Sequence, residues 1–231
     1  MSVNRTPERR LYQQVADQIR RLIQSGHFTL GARLPAEREL AQQLGVSRPS
    51  LREALIALEI DGTVEIRMGS GIYVASNGEQ KPSPPAATGE SPVELMDARA
   101  TLEAAILGLA AGRFTQEALD ELRQSIEGMR AAIEEGRKPI EHDRQFHLLI
   151  AGQTGNGVMA RVVAELFDER HSPISSQLRA HFDTTDNWRC ALAEHEAILA
   201  ALEMRDTPAA QMRMHRHLEE SRRRWIESEP R

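Results

Sequence analysis

Apolar side chains recur every three or four residues in three short segments near the start of the chain, a spacing typical of amphipathic helices. The segments predict helices over about residues 11–25, 35–45 and 47–62, with Pro35 in the first turn of the second and Ser47 capping the third. The positions expected to face the core are Leu11, Val15, Ile19 and Leu22; Leu40, Ala41 and Leu44; and Leu51, Ala54, Leu55 and Leu58.

The pattern then changes to strict alternation over two short runs. Val64 and Ile66 precede a turn over residues 68–71, and Ile72 and Val74 follow it, which predicts a small β-hairpin. Three short helices followed by a hairpin indicate a winged helix-turn-helix, whose third helix would enter a DNA major groove.

A stretch rich in Pro, Ser and Gly divides the chain. We therefore expect a winged helix-turn-helix domain over residues 1–75, a linker over 76–91 and an all-helical domain over 92–231. Helical spacing continues to the end of the third segment, which predicts a mainly α fold with a bundle of six or seven antiparallel helices. Its expected core positions are Leu95, Leu102, Ile106, Leu109, Leu119, Leu122, Ile126, Ile133, Phe146, Leu149, Ile150, Val162, Val163, Leu166, Phe167, Leu192, His195, Ile198, Leu199, Met214, Leu218 and Trp225.

Composition restricts the class of protein. Hydrophobic residues make up 40% and charged residues 27% of the 231 residues, which favours a soluble globular protein over a disordered one. No segment resembles a signal peptide or approaches the roughly 18 apolar residues of a membrane span, so a cytoplasmic location and no membrane partner are expected. The single cysteine, Cys190, excludes an internal disulfide and a thiolate metal cluster, and ordinary helix packing is its expected role.

The overall net charge of −5 conceals an uneven distribution. Residues 1–75 contain ten Arg and eight acidic residues, a net of +2, whereas the remainder has 19 basic and 26 acidic residues, a net of −7. Arg48 and Arg52 are four residues apart on the expected exposed face of the third helix, where they could reach base edges or phosphates. The alternative, a merely solvated face, is disfavoured by the clustering of further candidates. The predicted DNA contacts are Arg38, Ser47, Arg48, Ser50, Arg52, Arg67 and Gly69.

A second group of candidate residues lies in the helical region. Asp143 and His147 are one helical turn apart in DRQFH, and His195 and His217 each occupy an apolar stripe, so all four are expected to face the bundle centre. One carboxylate and three imidazoles suit a divalent transition metal, zinc before nickel or manganese. The alternative is that each histidine is a core residue with an ordinary hydrogen-bond partner.

The segment GARLPAERELAQQLGVSRPSLREALIALEIDGTVEIRMGSGIYV resembles the DNA-binding domain of the GntR family of bacterial regulators. The resemblance implies that Arg38, Arg48 and Arg52 contact DNA and that Gly69 lets the wing approach the minor groove. Pro49 stands where many members have Thr, and its missing amide removes one expected phosphate contact.

The helical region is similar to the effector domain of the FadR subfamily, the FCD domain, in the branch that binds metal. That resemblance implies that Asp143, His147, His195 and His217 are ligands of a metal that helps to hold a carboxylate effector. Arg99 matches a cavity-facing arginine that can pair with such a carboxylate, although an intrahelical pair with Glu103 is equally compatible with the spacing.

These patterns predict a DNA-binding transcriptional repressor, a homodimer on a palindromic double-stranded operator, that responds to a small carboxylate or sugar acid. The N-terminal segment is most similar to repressors of hexuronate utilisation, which makes a sugar acid the first choice. Two alternatives stay open: a metal-dependent enzyme that acts on a small organic acid, and a constitutive repressor with a structural metal. No acid-base partner accompanies the four residues in the sequence, so we expect no enzyme.

Overall fold

The computed structural model describes residues 10–77 and 88–227. Contacts between residues divide this part of the chain into two compact units. The first comprises residues up to Val93 together with His171–His181, and the second comprises Glu94–Arg170 and Phe182–Trp225. The predicted linker over residues 76–91 lies mostly outside the described residues.

The first unit contains the predicted three helices and hairpin. These elements are α1 (Leu11–Gln24), α2 (Glu37–Leu44), α3 (Arg48–Ile60), β1 (Val64–Arg67) and β2 (Gly71–Val74). The strands are antiparallel with Val64 opposite Val74 and Ile66 opposite Ile72, so the predicted hairpin forms. Buried residues of all five elements form one core, including Ile19, Leu40, Leu51, Leu55, Val64 and Val74. The expectation that Leu11 faces this core is wrong, because this first residue of α1 is 53% exposed.

Local signals in the sequence set the ends of α2 and α3. Gly45 ends α2 in the left-handed conformation, with φ of +68°, which glycine adopts without strain. Ser47 caps α3 by accepting the Ser50 amide at 3.2 Å. Pro35 does not lie in the first turn of α2, because Ala36 is extended and the helix begins one residue later.

Seven helices follow the hairpin within the described residues, which agrees with the predicted six or seven. They are α4 (Pro92–Ala110), α5 (Gln116–Glu134), α6 (Ile140–Gly152), α7 (Gly157–Asp168), α8 (Pro173–Phe182), α9 (Thr185–Glu203) and α10 (Thr207–Arg222). A short π-helical turn, Arg223–Glu227, extends the last helix. No helix in this part of the chain has the length and apolar character needed to cross a bilayer.

Two expectations about the helical core are wrong. Leu102 and Leu109 of α4 are 40% and 58% exposed, because the helix packs through another face that includes Ala100 and Leu107. The apolar side chains of α4 are distributed over nearly all of its faces, so periodicity alone does not identify the buried face. Cys190, expected to pack between helices, is exposed.

Candidate metal centre and DNA-contacting surface

The four predicted ligands come together in the interior of the second unit. Asp143 and His147 lie on α6, His195 on α9 and His217 on α10, and each is at most 5% exposed. One ligand atom of each residue lies within 4.8 Å of the others. The Nε2 atoms of His147 and His195 are 3.3 Å apart, and Asp143 Oδ1 is 3.2 Å from His195 Nε2.

Hydrogen bonds fix the orientation and the tautomer of all three imidazoles. In each ring Nδ1 faces an oxygen atom that can only accept, so Nδ1 carries the proton and Nε2 keeps a lone pair. The bonds run from His147 to Glu103 Oε2 (2.5 Å), from His195 to the Ala191 carbonyl (2.6 Å) and from His217 to Glu194 Oε2 (2.7 Å).

The charge states keep these lone pairs available. Burial lowers the pKa of His147, and burial together with the nearby His195 lowers the pKa of His217 from 6.5 to about 3, so both rings are neutral at pH 7. Burial alone would raise the pKa of Asp143, but the Arg170 guanidinium, which donates to Oδ2, holds it well below its ordinary value. Asp143 is therefore ionised.

This arrangement fits a metal ion. Three Nε2 lone pairs and a carboxylate oxygen face one another, and a cation between them would satisfy all four acceptors. Two of the separations, 3.2 and 3.3 Å, match the ligand-to-ligand edge of about 3.3 Å in a tetrahedral site with bonds of about 2.0–2.1 Å, whereas His147 Nε2 and Asp143 Oδ1 are 3.7 Å apart. Arg170 Nη1 donates to Asp143 Oδ2 at 2.5 Å, which turns Oδ1 toward the imidazoles.

Arg99 lines a cavity beside this centre, together with Asp143, His147 and His217. Its Nε donates to Glu103 Oε1 at 2.6 Å, its Nη1 faces only the Met96 sulfur at 4.0 Å, and its buried Nη2 has no acceptor among the described residues. The intrahelical pair with Glu103 therefore forms, yet it leaves the terminal fork of the guanidinium uncommitted. The two interpretations of Arg99 are compatible.

Sequence reasoning missed the residues that hold the ligands. Glu103 bridges Arg99 and His147; burial would raise its pKa, but those two neighbours lower it to about 2. Glu194 accepts a hydrogen bond from His217, and Arg170 donates one to Asp143. The adjacent letters EHE offered a hint of Glu194, whereas nothing local marks Arg170, which lies 27 residues from Asp143.

The predicted DNA-contacting residues of the first unit are mostly accessible. Arg38 is exposed on α2, and Arg48 is partly exposed at the start of α3 beside Ser47 and Ser50. On the hairpin, Arg67 is exposed and pairs with Glu65, while Gly69 has φ of +71° in the turn. The wing turn thus uses a conformation that favours glycine.

Arg52 differs from the others. The expectation that it lies on the exposed face of α3 is wrong, because its side chain is 2% exposed and its Nη2 donates to Glu37 Oε2 at 2.6 Å. This buried ion pair joins α3 to the first residue of α2. The geometry gives Arg52 a role in holding the two helices together.

Comparisons with known proteins cover both units. The model of the gntR family of bacterial regulatory proteins matches residues 11–74, and the FCD domain model matches residues 94–220. The chain is 38% identical to the Exu regulon transcriptional regulator of Escherichia coli K12, over 94% of this chain and 85% of that protein. It is 39% identical to the Uxu operon transcriptional regulator of the same strain, over 96% and 89%. A solved Streptococcus agalactiae GntR structure is 28% identical with a TM-score of 0.50, over 92% of this chain and 99% of that one.

The depressed pKa of His217 predicts a specific loss of stability in acid. Between pH 6.5 and 3 the unfolded chain binds a proton at this ring that the folded chain excludes, so the free energy of unfolding falls as pH is lowered. We expect this group to contribute a loss on the order of 2 kcal/mol between pH 7 and pH 5. Urea unfolding of chelator-treated protein at both pH values measures it. His217→Gln serves as the reference, and an equal pH dependence in the two proteins would contradict the assignment.

Proposed function

The chain belongs to the GntR family of bacterial transcriptional regulators and carries an FCD domain, and we propose that it is a metal-dependent repressor that senses a small acid. The protein binds a palindromic operator as a homodimer, and a carboxylate or sugar acid bound beside the metal releases the DNA. The observation that carries the proposal is the convergence of Asp143, His147, His195 and His217 beside the uncommitted guanidinium fork of Arg99.

Residues 1–75 serve as the DNA-binding domain. Arg38 and Arg48 are accessible on α2 and at the start of α3, where side chains of a helix-turn-helix reach bases and phosphates. Ser47 and Ser50 offer hydroxyls at the same helix start, and Arg67 extends the basic surface to the wing. Arg52 supports this surface from beneath through Glu37.

Residues 92–231 serve as the sensing domain, and their charges favour an anionic ligand. Each arginine around the cavity already pairs with a carboxylate: Arg99 with Glu103, Arg170 with Asp143 and Arg224 with Glu194. Asp183, the other carboxylate that lines the cavity, pairs with Lys138 at 3.2 Å. A divalent ion therefore adds positive charge to a cavity whose carboxylates are already paired. In a buried site such charge attracts an anion, and the fork of Arg99 can bind a carboxylate in bidentate fashion.

The acid is proposed to be a sugar acid first. Two relatives of this chain are named as Exu regulon and Uxu operon regulators, and they align over most of their length. Zinc is the preferred metal, with nickel and manganese as alternatives, because all three accept imidazole and carboxylate ligands.

The centre is connected to α3 by a short segment of chain and one side-chain contact. The open space in the cavity is about 20 Å³, roughly that of one water molecule, so a larger acid must displace lining side chains such as Arg170 and Asp183. These two residues flank residues 171–181, which group with the first unit. In that unit His181 Nε2 lies 2.6 Å from Glu59 Oε2 of α3. The segment transmits the change to the DNA-binding helix.

Exposed apolar side chains support the homodimer. Leu102 and Leu109 are seven residues apart on one face of α4, and Met212 of α10 is 63% exposed. Gln211, next to Met212, donates to the Ala104 carbonyl, which places these residues on neighbouring helices. Exposed apolar groups clustered in this way are typical of a subunit interface.

Effector binding is tested by thermal unfolding of zinc-loaded protein with D-glucuronate, D-galacturonate, L-lactate and citrate. Binding to the native state raises the midpoint, by about 5–10 °C at a hundred times Kd for a chain of this size. We expect Arg99→Ala to abolish the rise and Arg123→Ala, a surface control, to retain it. No rise with any acid in the wild type would instead favour a structural metal in a constitutive repressor.

Operator affinity and stability together distinguish the proposed DNA-contacting role of Arg48 from the structural role of Arg52. With a DNA fragment selected from a random library by the wild-type protein, Arg48→Ala should weaken binding by about 1–3 kcal/mol without changing stability. Arg52→Ala should lower the free energy of unfolding by about 3 kcal/mol, because it leaves Glu37 without its buried partner. Gel shift and urea unfolding measure the two effects; full operator affinity in Arg48→Ala would contradict the proposal.

The α4 surface is tested by oligomeric state. Sedimentation velocity should show a dimer for the wild type and a monomer for Leu109→Asp, because a carboxylate in the interface cannot be solvated. Met204→Asp alters an exposed apolar residue away from α4, 78% exposed against 58% for Leu109, and should remain a dimer. A monomeric wild type excludes the homodimer, and a dimeric Leu109→Asp excludes this surface.

A further inference from the structure

The indole of Trp188 has an unused hydrogen-bond donor beside the metal centre. Trp188 lies on α9, is 6% exposed and lines the same cavity as Arg99, Asp143, His147 and His217. Its buried Nε1 has no acceptor in the described part of the chain. Buried N–H groups nearly always have a partner, so one left open at a cavity wall indicates where a bound molecule places an acceptor.

We propose that Trp188 is a specificity-determining residue, whose N–H donates to an oxygen atom of the effector other than those of its carboxylate. This inference rests on the proposed function, in which the carboxylate occupies the fork of Arg99. The two donors then contact two different groups of one molecule. The ligand class they define is an acid with hydroxyl or ring oxygens, and simple alkyl carboxylates lack the second group.

Packing holds the indole in place for such a contact. Trp188 packs against Ile133 and Ala191 in a small apolar cluster, and the Arg170 guanidinium carbon lies 5.8 Å from the ring. A side chain fixed by its neighbours presents its donor in one direction, which is the condition for selecting one ligand group over another.

The remaining cavity wall also suits an oxygen-rich molecule. Asn187, Ser221 and Arg224 contribute polar side chains to this wall, and Met96, Ala191 and Leu218 contribute apolar ones. The Ser221 oxygen accepts a hydrogen bond from Arg224 Nη2 at 2.9 Å, which leaves the hydroxyl proton able to donate. An oxygen atom of the ligand could accept this proton, whereas an alkyl chain could not.

The test compares two ring acids that differ in their hydroxyl groups. Zinc-loaded protein is titrated calorimetrically with D-glucuronate and with cyclohexanecarboxylate, for the wild type and Trp188→Phe. The substitution removes the N–H and keeps an aromatic ring. We expect Trp188→Phe to bind D-glucuronate about 3- to 10-fold more weakly, the range for one lost hydrogen bond, and cyclohexanecarboxylate unchanged. The Kd for cyclohexanecarboxylate divided by the Kd for D-glucuronate therefore falls toward one in Trp188→Phe.

Two controls keep the outcomes distinct. Zinc affinity and the unfolding midpoint of Trp188→Phe should equal those of the wild type, which separates ligand reading from folding. Arg123→Ala alters an exposed residue outside the cavity and should retain the wild-type ratio. An unchanged ratio in Trp188→Phe overturns this inference alone. A wild type that binds neither acid overturns it together with the sugar-acid sensor.

Discussion

Four acceptor atoms in the interior of the second unit face one another, and the hydrogen bonds of the neighbouring residues hold them in that arrangement. Three imidazole lone pairs and an ionised carboxylate repel each other in a region of low dielectric unless a cation lies between them. The helices that contribute them, α6, α9 and α10, also supply much of the apolar core. A cation bound here would offset that repulsion, and the stability of the bundle would then depend on the same residues as the proposed sensing site.

Glu103 and Arg170 connect the proposed metal ligands to the proposed effector cavity. Glu103 takes the Nδ1 proton of His147 with one oxygen and the Nε proton of Arg99 with the other, so it joins the metal ligand to the proposed anion-binding residue. Arg170 likewise holds Asp143 and immediately precedes the segment that groups with the first unit. An acid that binds Arg99 would shift Glu103 and with it His147. An acid that displaces Arg170 would shift Asp143 and the start of residues 171–181, which lead to α3.

Much of this was predictable from local signals, and the exceptions have physical causes. Glycines and a serine cap define the helices of the winged domain, and a histidine within an apolar stripe points to the interior, so His195 and His217 were found without a structure. Arg52 was misplaced because periodicity describes a face and not a partner 15 residues away. Leu109 was misplaced because α4 is apolar on nearly every side. Arg170 and Trp188 depend on packing between helices distant in sequence, which no local pattern records.

Binding of one divalent ion by Nε2 of the three histidines and Oδ1 of Asp143 can be observed by anomalous diffraction at the zinc edge from crystals of the zinc-loaded protein. We expect one strong peak about 2.0–2.2 Å from those four atoms, with each Nδ1 still bonded to its oxygen. Zinc bound elsewhere, or a structure in which the four side chains keep their places around no peak in the presence of excess zinc, would contradict it.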